Sequence, residues 1–253
     1  MKPDSKKPEA ATTKTPPPTI PPPNWPPEIT YLTDQIYTPA VSLELRSKLS
    51  RSPSDNISWI KLASDLIITP CPLVSITTIT DEKHPACGQR GLFAAQHLIP
   101  DSFICLYMGE VHCNSLSDTD PNSDYDLNRI ETKTDFNPCL DSEIGLSVDA
   151  SKAGNESRCT NDYRGVAERP NAEFRDCFIQ VPSLKRADGL RWERRVGIFV
   201  LSAGKAGKRK AGIKAGEEIL VSYGKAFWEG RKTLATFRKD FEMLRIAEAA
   251  LEL

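Results

Sequence analysis

The sequence predicts a mostly β protein with flanking helices, and three observations lead there. Short apolar or β-branched runs such as VSITTIT, FICLYM and EEILVSY are bounded by Gly, Pro, Asp or Asn, and each is too short for a helix. These runs do not alternate with long amphipathic segments, which argues for several small sheets and against a parallel sheet of βαβ units. Helix-like periodicity is confined to stretches before and after this strand-rich part.

Residues 1–28 contain PPPTIPPPNWPP, and such proline density removes backbone donors and fixes an extended, polyproline-like tail expected to stand outside the fold. The tail is either plainly solvated or a docking segment for an aromatic groove of a partner protein. Residues 29–72 read as an N-terminal flank, with helices expected at VSLELRSKL and at SWIKLASDLI, the second begun after Ser54, Asp55 or Asn56. The main domain spans 73–228, with strands expected at VSITTIT, GLFAAQHL, FICLYM, LSVDA, AEFRDCFIQV, RRVGIFVLSA and EEILVSY. Residues 229–253 read as a closing helix, because Leu234, Phe237, Phe241, Leu244 and Ile246 fall near helical spacing.

The 253 residues carry 33 Lys and Arg against 34 Asp and Glu and are 39% hydrophobic, as expected of one medium-sized soluble domain with polar attachments. A net charge of −1 provides no broad basic field, so direct nucleic-acid binding is not expected. The basic run Lys205, Lys208, Arg209 and Lys210 is either a solvated loop or a patch for nuclear import or an acidic partner. No stretch approaches the roughly 18 apolar residues of a membrane span, and MKPDSKKPEAATTK has no signal-peptide core, so an intracellular protein without a membrane partner is expected. The seven cysteines are scattered and never form Cys-x-x-Cys, which points to buried thiols rather than a metal site.

Three separated pieces carry the chemical signal: GQRGLFAAQHLIPDSFICLYMGEV at 88–111, GNESRCTN at 154–161 with Pro170-Asn171 after it, and IKAGEEILVSYGKAFW at 213–228. In this order they resemble the SET-domain protein-lysine methyltransferases, over about residues 73–228. That family's motifs run Gly-x-Gly followed by an apolar pair and Ala, then Gly-Asn-x-x-Arg-Phe-x-Asn-His-Ser-Cys and Pro-Asn, then Gly-Glu-Glu-Leu and a Tyr. The resemblance implies a SET fold of the β-clip type, with small sheets around a knot-like core through which the second motif threads. Such a crossing needs side chains that satisfy buried backbone groups, a reason for the polar stretch at 147–174. The resemblance further implies S-adenosylmethionine as cofactor, a lysine of a histone or other protein as substrate and, with the Lys208-Arg209-Lys210 run, a nuclear rather than cytoplasmic location.

Carried over residue by residue, the resemblance puts Arg158 and Asn161 at the amino-acid end of the cofactor, where a guanidinium suits a carboxylate and an amide accepts from an ammonium. Backbone groups around Gln89, Arg90, Gly91 and Leu92 would cradle the same end, Gly91 allowing close approach. Asp162 stands where the family meets adenine through backbone groups, and Trp228, or Phe227 beside it, is either an adenine-stacking ring or a core aromatic. Tyr223 is the catalytic candidate. Lysine's ordinary pKa of about 10.4 must fall before the amine can attack, and a phenol can then orient amine and methyl without acting as a strong base. Tyr125 lies in the insert that walls the lysine channel in the family, where it either guides an ammonium by its ring face or simply packs. Tyr107 and Asn155 take scaffold roles.

The sequence departs from the family in three places. Gly88 stands one place early, leaving Gln89 where the first Gly belongs. Asp162-Tyr163-Arg164 replace His-Ser-Cys, and Gly165 to Arg169 intervene before Pro170-Asn171. An acidic side chain near the catalytic tyrosine opens the alternative of a catalytically inactive SET-fold scaffold or protein-binding module. The chain also lacks the C-terminal cysteine trio that completes a zinc site in many histone-directed members, so no zinc is expected, and residues 229–253 or the flank before residue 70 must close the channel.

Overall fold

Short β-branched and apolar runs punctuated by turns become short strands in the computed structural model, which describes residues 20–51, 59–115, 117–120, 123–127, 145–183, 189–204, 211–225 and 227–233. In chain order the strands and the helix are β1 (Thr30–Tyr31), β2 (Ile36–Tyr37), α1 (Leu43–Lys48), β3 (Ser50–Arg51), β4 (Val74–Thr78), β5 (Arg90–Ala94), β6 (Phe103–Leu106), β7 (Glu110–Cys113), β8 (Leu146–Asp149), β9 (Ala153–Gly154), β10 (Asn161–Asp162), β11 (Ala172–Pro182), β12 (Leu190–Val200) and β13 (Leu220–Val221). Short 3-10 turns occur at Ser64–Leu66 and Glu156–Cys159. The architecture is the mostly β class of several small sheets that the sequence predicts, and each run expected as a strand in the main domain contributes one.

The sheets are β4–β5, β2–β7–β8, β1–β9, β10–β13, and the long β11–β12 hairpin, to whose second strand β3 and β6 also pair. Two contacts position the site. Parallel β10 and β13 align Asn161 with Leu220 and Asp162 with Val221, setting the second motif beside the third. The Ile219 N–H donates to the Leu92 carbonyl at 2.7 Å and the Ala94 N–H to the Glu217 carbonyl at 2.9 Å, which adds the first motif. Beneath this junction Leu92, Ile198, Ile213, Ile219 and Val221 pack into one buried cluster, whose burial supplies the main driving force for bringing such distant segments together.

Helix α1 forms where VSLELRSKL predicts one. Ser42 caps it by accepting the Leu45 N–H at 3.2 Å, and Glu44 and Lys48 suit its two ends. The second helix expected in the flank does not form over the described residues 59–67 beyond the 3-10 turn. Instead the Phe178 N–H donates to the Ile60 carbonyl at 2.8 Å and the Leu62 N–H donates to the Phe178 carbonyl at 2.9 Å, so this piece runs beside β11. Trp59 packs edge-on against Phe178 with ring centroids 4.3 Å apart, and this tertiary pairing overrides local helix propensity.

The expected Pro-rich tail is also shorter than residue 28. Asn24 donates its Nδ2 hydrogen to the Ile76 carbonyl at 2.8 Å, and Trp25 packs against the central core cluster. Residues 20–27 therefore belong to the fold rather than standing outside it. Residues 1–19, the basic run 205–210 and most of the closing helix, 234–253, lie outside the described residues, while 227–233 are helical.

Candidate functional site

A cleft of about 570 Å³ opens where the three motif pieces meet, a size suited to a small-molecule ligand. Gln89 and Arg90 line it from the first piece, Arg158, Asn161 and Asp162 from the second, and Tyr223 and Trp228 from the third. Tyr125 completes the wall. Gly91 and Leu92, expected among the cofactor contacts, do not line it. The Leu92 carbonyl is used by Ile219 and its side chain is 0% exposed within the core. A Cβ at Gly91 would stand 2.8 Å from Glu218 Oε1 and from the Phe93 ring, so the missing side chain makes room for a neighbouring carboxylate rather than for a ligand.

Arg158 is held by the chain that precedes it. Its Nε donates to the Ala150 carbonyl at 2.8 Å, and its Nη2 lies 3.5 Å from the Ser151 carbonyl. The guanidinium sits 4.2 Å over the Tyr125 ring and 6.0 Å from the Trp25 ring, a cation held between two aromatic faces. With five N–H donors and two engaged, it keeps donors for an anionic group in the cleft. Asn161 spends both amide hydrogens on the protein, donating to Glu218 Oε1 at 2.9 Å and to the Arg90 carbonyl at 3.3 Å. What it has left to offer is an acceptor, Oδ1.

His84 reaches the same carboxylate from a turn. Its Nδ1 accepts the Ala86 N–H at 3.0 Å, which assigns the ring proton to Nε2, 3.1 Å from Glu218 Oε2. Glu218, from the Gly-Glu-Glu piece, is thus the hub that fixes Asn161. His84 also lines the cleft, and no spacing pattern in the sequence pointed to it, because its partner Glu218 lies 134 positions away.

Tyr223 is anchored at both ends by residues 160–162. Its N–H donates to Asp162 Oδ2 at 2.7 Å, and its phenol donates to the Thr160 carbonyl at 2.8 Å. Burial, then the nearby Asp162 and Tyr125, push the phenol well above its ordinary pKa, so it remains protonated. With its proton given to Thr160, the phenol oxygen keeps lone pairs that can accept a further hydrogen bond. Burial also pushes the Cys159 thiol, another lining group, up to about 11, which removes it as a thiolate nucleophile at neutral pH.

Asp162 lines the cleft, and its carboxylate accepts the Tyr223 N–H, the Arg164 N–H at 2.8 Å and Arg164 Nη1 at 3.0 Å. Tyr125 is fixed through its backbone, whose carbonyl accepts from the Tyr107 phenol at 2.7 Å and from the Ala150 N–H at 3.2 Å. Asn155 serves as scaffold, accepting from Met108 N–H and Ser157 Oγ–H and donating to the Leu106 carbonyl. Phe227 and Trp228 meet edge to face at 5.3 Å, and the Trp228 indole N–H is buried with no acceptor among the described residues. Sequence reasoning also missed Asp124 and Arg231, an ion pair on the wall of the cleft, and Glu28. Among the described residues no three His, Cys, Asp or Glu side chains gather as a metal site, and no helix is long and apolar enough to cross a membrane.

No family model matches the chain, and no curated protein matches it. Among solved structures, the crystal structure of the Chaetomium thermophilum polycomb repressive complex 2 is similar at 23% identity over 61% of this chain and 16% of that one, with a TM-score of 0.37. The complex in an autoinhibited conformation bound to S-adenosylmethionine is similar at 23% identity over 67% of this chain and 17% of that one, with a TM-score of 0.39. The chain therefore spans a minor part of the length of the chains it matches.

Proposed function

We propose that this chain is an S-adenosylmethionine-dependent protein-lysine N-methyltransferase of SET type, acting on a histone or another protein. The observation that carries the proposal is the convergence of Arg158, Asn161, Tyr125 and Tyr223, drawn from distant segments, on one cleft. The side chains suit the ligand. Arg158 retains donors for a carboxylate, Asn161 retains an acceptor for an ammonium, and Phe227 and Trp228 offer rings and an unpaired indole N–H to a nitrogenous base. When bound, S-adenosylmethionine supplies a methyl group activated by the positive charge on sulfur.

The chain's own residues then do three things. Arg158 and Asn161 fix one end of the ligand, so that orientation is settled before reaction. Tyr223, held protonated with its hydrogen on Thr160, presents an acceptor that can align an incoming amine without removing its proton. The cleft walls desolvate an entering lysine amine beside the sulfonium charge, which disfavours its charged form and lowers its pKa towards the reactive neutral form.

One observation favours a second reading, a SET-fold scaffold or protein-binding module without turnover. The Tyr125 ring face that would meet an ammonium carries the Arg158 guanidinium at 4.2 Å. Calorimetry with S-adenosylmethionine and S-adenosylhomocysteine, followed by transfer of labelled methyl to histone mixtures and cell lysate, separates the two. Binding of both ligands and a transfer signal that drops about 10²-fold in Tyr223→Phe are expected. Binding without transfer would leave the scaffold, full activity in Tyr223→Phe would remove that residue from its role, and absence of binding would reject the cofactor.

A further inference from the structure

The substitution that set this chain apart from its resembled family, an acid in place of an imidazole at position 162, can be judged by what the side chain touches. Asp162 is buried, its strand pairs with β13, and the Tyr163 N–H donates to the Val221 carbonyl at 3.0 Å. Two residues beyond Val221 the ladder has ended, and the Tyr223 N–H would have no strand partner. The Asp162 carboxylate takes that N–H at 2.7 Å. Its other oxygen takes the Arg164 N–H at 2.8 Å, and the Arg164 guanidinium closes on both oxygens at 3.0 and 3.3 Å.

A neutral imidazole has one acceptor nitrogen and cannot receive these donors together, whereas a carboxylate has room for about four. The acid at 162 therefore adds acceptor capacity where the chain leaves its sheet. Because Thr160 holds the phenol of the same tyrosine, the three residues 160–162 grip Tyr223 by its backbone and by its ring oxygen. Arg164 also lies on the cleft wall, with its guanidinium 5.0 Å over Tyr163 and 6.0 Å from Trp228, so the counter-ion of the grip faces the ligand space.

We infer that Asp162 is a positioning residue for Tyr223, setting the phenol through the Tyr223 backbone N–H with Arg164 as its counter-ion, and that it does not bind the cofactor. The inference rests on the proposed reading for its catalytic meaning, while the grip itself is measurable without turnover. The test uses the full chain labelled with ¹⁵N-tyrosine, with the Tyr223 amide identified by its loss in Tyr223→Phe. In Asp162→Asn one oxygen becomes an NH₂ donor facing donors, so the charge-assisted bond weakens and the downfield Tyr223 amide signal should move upfield while the other tyrosine amides stay in place. The Tyr223 ring signals should shift with it.

Kinetics add a second arm. A positioning role predicts a dissociation constant for S-adenosylmethionine within about threefold of the unaltered chain and a kcat lower by about 10²-fold, whereas a cofactor ligand would raise the dissociation constant along with the loss. Unchanged Tyr223 amide and ring signals in Asp162→Asn would overturn the inference, and so would a loss confined to cofactor affinity. An unaltered chain that neither binds nor transfers would sink the methyltransferase reading alone, since the amide signal still decides whether Asp162 holds Tyr223. Should Asp162→Asn fail to fold, Arg164→Gln tests the same grip from the exposed side, with a smaller shift of the same amide expected and no shift counting against it.

Discussion

Asn155 and Glu193 are both almost fully buried polar side chains in a protein of short strands, and they meet their surroundings in opposite ways. Asn155 is neutral and local to the second motif. It accepts the Met108 N–H at 3.2 Å and the Ser157 hydroxyl at 2.6 Å, and it donates to the Leu106 carbonyl at 2.9 Å, taking up backbone groups at the end of β6. Glu193, on β12, gathers cations. The Tyr37 hydroxyl donates to it at 2.6 Å, Arg46 Nε lies at 3.3 Å, and Arg191 and Arg195 both close on its oxygens. One joint completes backbone hydrogen bonding without charge; the other ties α1 and β2 to the long hairpin through one shared carboxylate. Small sheets leave backbone and edges unpaired, and polar side chains take over what a longer ladder would do.

The sharpest way to break this comparison is Glu193→Ala. Arg195 is 1% exposed, and removing its carboxylate leaves a buried guanidinium with Asp34, 3.6 Å away, as the nearest remaining acid among its described ion pairs. Loss of one partner from a buried pair costs about 3–5 kcal/mol, which a urea titration should read as a lower midpoint. A cost under about 1 kcal/mol would mean that water reaches the cluster and that the charges are not truly buried. Asn155→Ala should follow at about 2–3 kcal/mol, because the Met108 N–H and Leu106 carbonyl are orphaned together. An Asn155→Ala variant as damaged as Glu193→Ala would erase the distinction between neutral and charged joints.

The two joints also differ in how far the sequence announced them. Asn155 sits inside a motif piece and was readable as scaffold, whereas Glu193, within RWERR, looks like an ordinary solvated charge until Tyr37 and Arg46 are brought to it across 156 and 147 positions. The strands were legible for a local reason: alternation and turn residues are written within each run, as at VSITTIT and AEFRDCFIQV. The convergence of Arg158, Asn161 and Tyr223 was legible through the order of the motif pieces. What lay hidden depends on pairing between remote segments. Trp25 and Asn24 look like part of a proline tail, and Trp59 to Leu62 look helical, until β4 and β11 supply their partners. Gly91 was recognised as a point of close approach, and the neighbour that approaches it is Glu218, remote in sequence and so invisible to local pattern.

His112 offers the finest test, because it is a third joint that can be charged or neutral in one and the same protein. It lies on β7 and bonds to the segment 123–127 that carries Tyr125 to the cleft. Its Nδ1 is 3.0 Å from the Cys113 carbonyl and its Nε2 is 3.1 Å from Asp126 Oδ1; both partners only accept, so the ring satisfies both as the imidazolium. Burial opposes that charge, but the Asp126 carboxylate, with the Cys113 carbonyl and Asp149 behind it, outweighs burial and holds the pKa above the ordinary 6.5. A raised folded-state pKa means that the folded protein binds the proton more tightly than the unfolded chain. The contribution is therefore complete below about pH 6.5 and fades as pH rises through the folded value. Thermal midpoints of the unaltered protein should fall between pH 6 and pH 8 relative to those of His112→Gln, by an amount corresponding to about 1 kcal/mol or less, the smallest of the three effects. Parallel pH profiles for the two proteins would show that the ring stays in one protonation state throughout, and the Tyr125 segment would then be held by a joint as indifferent to charge as Asn155.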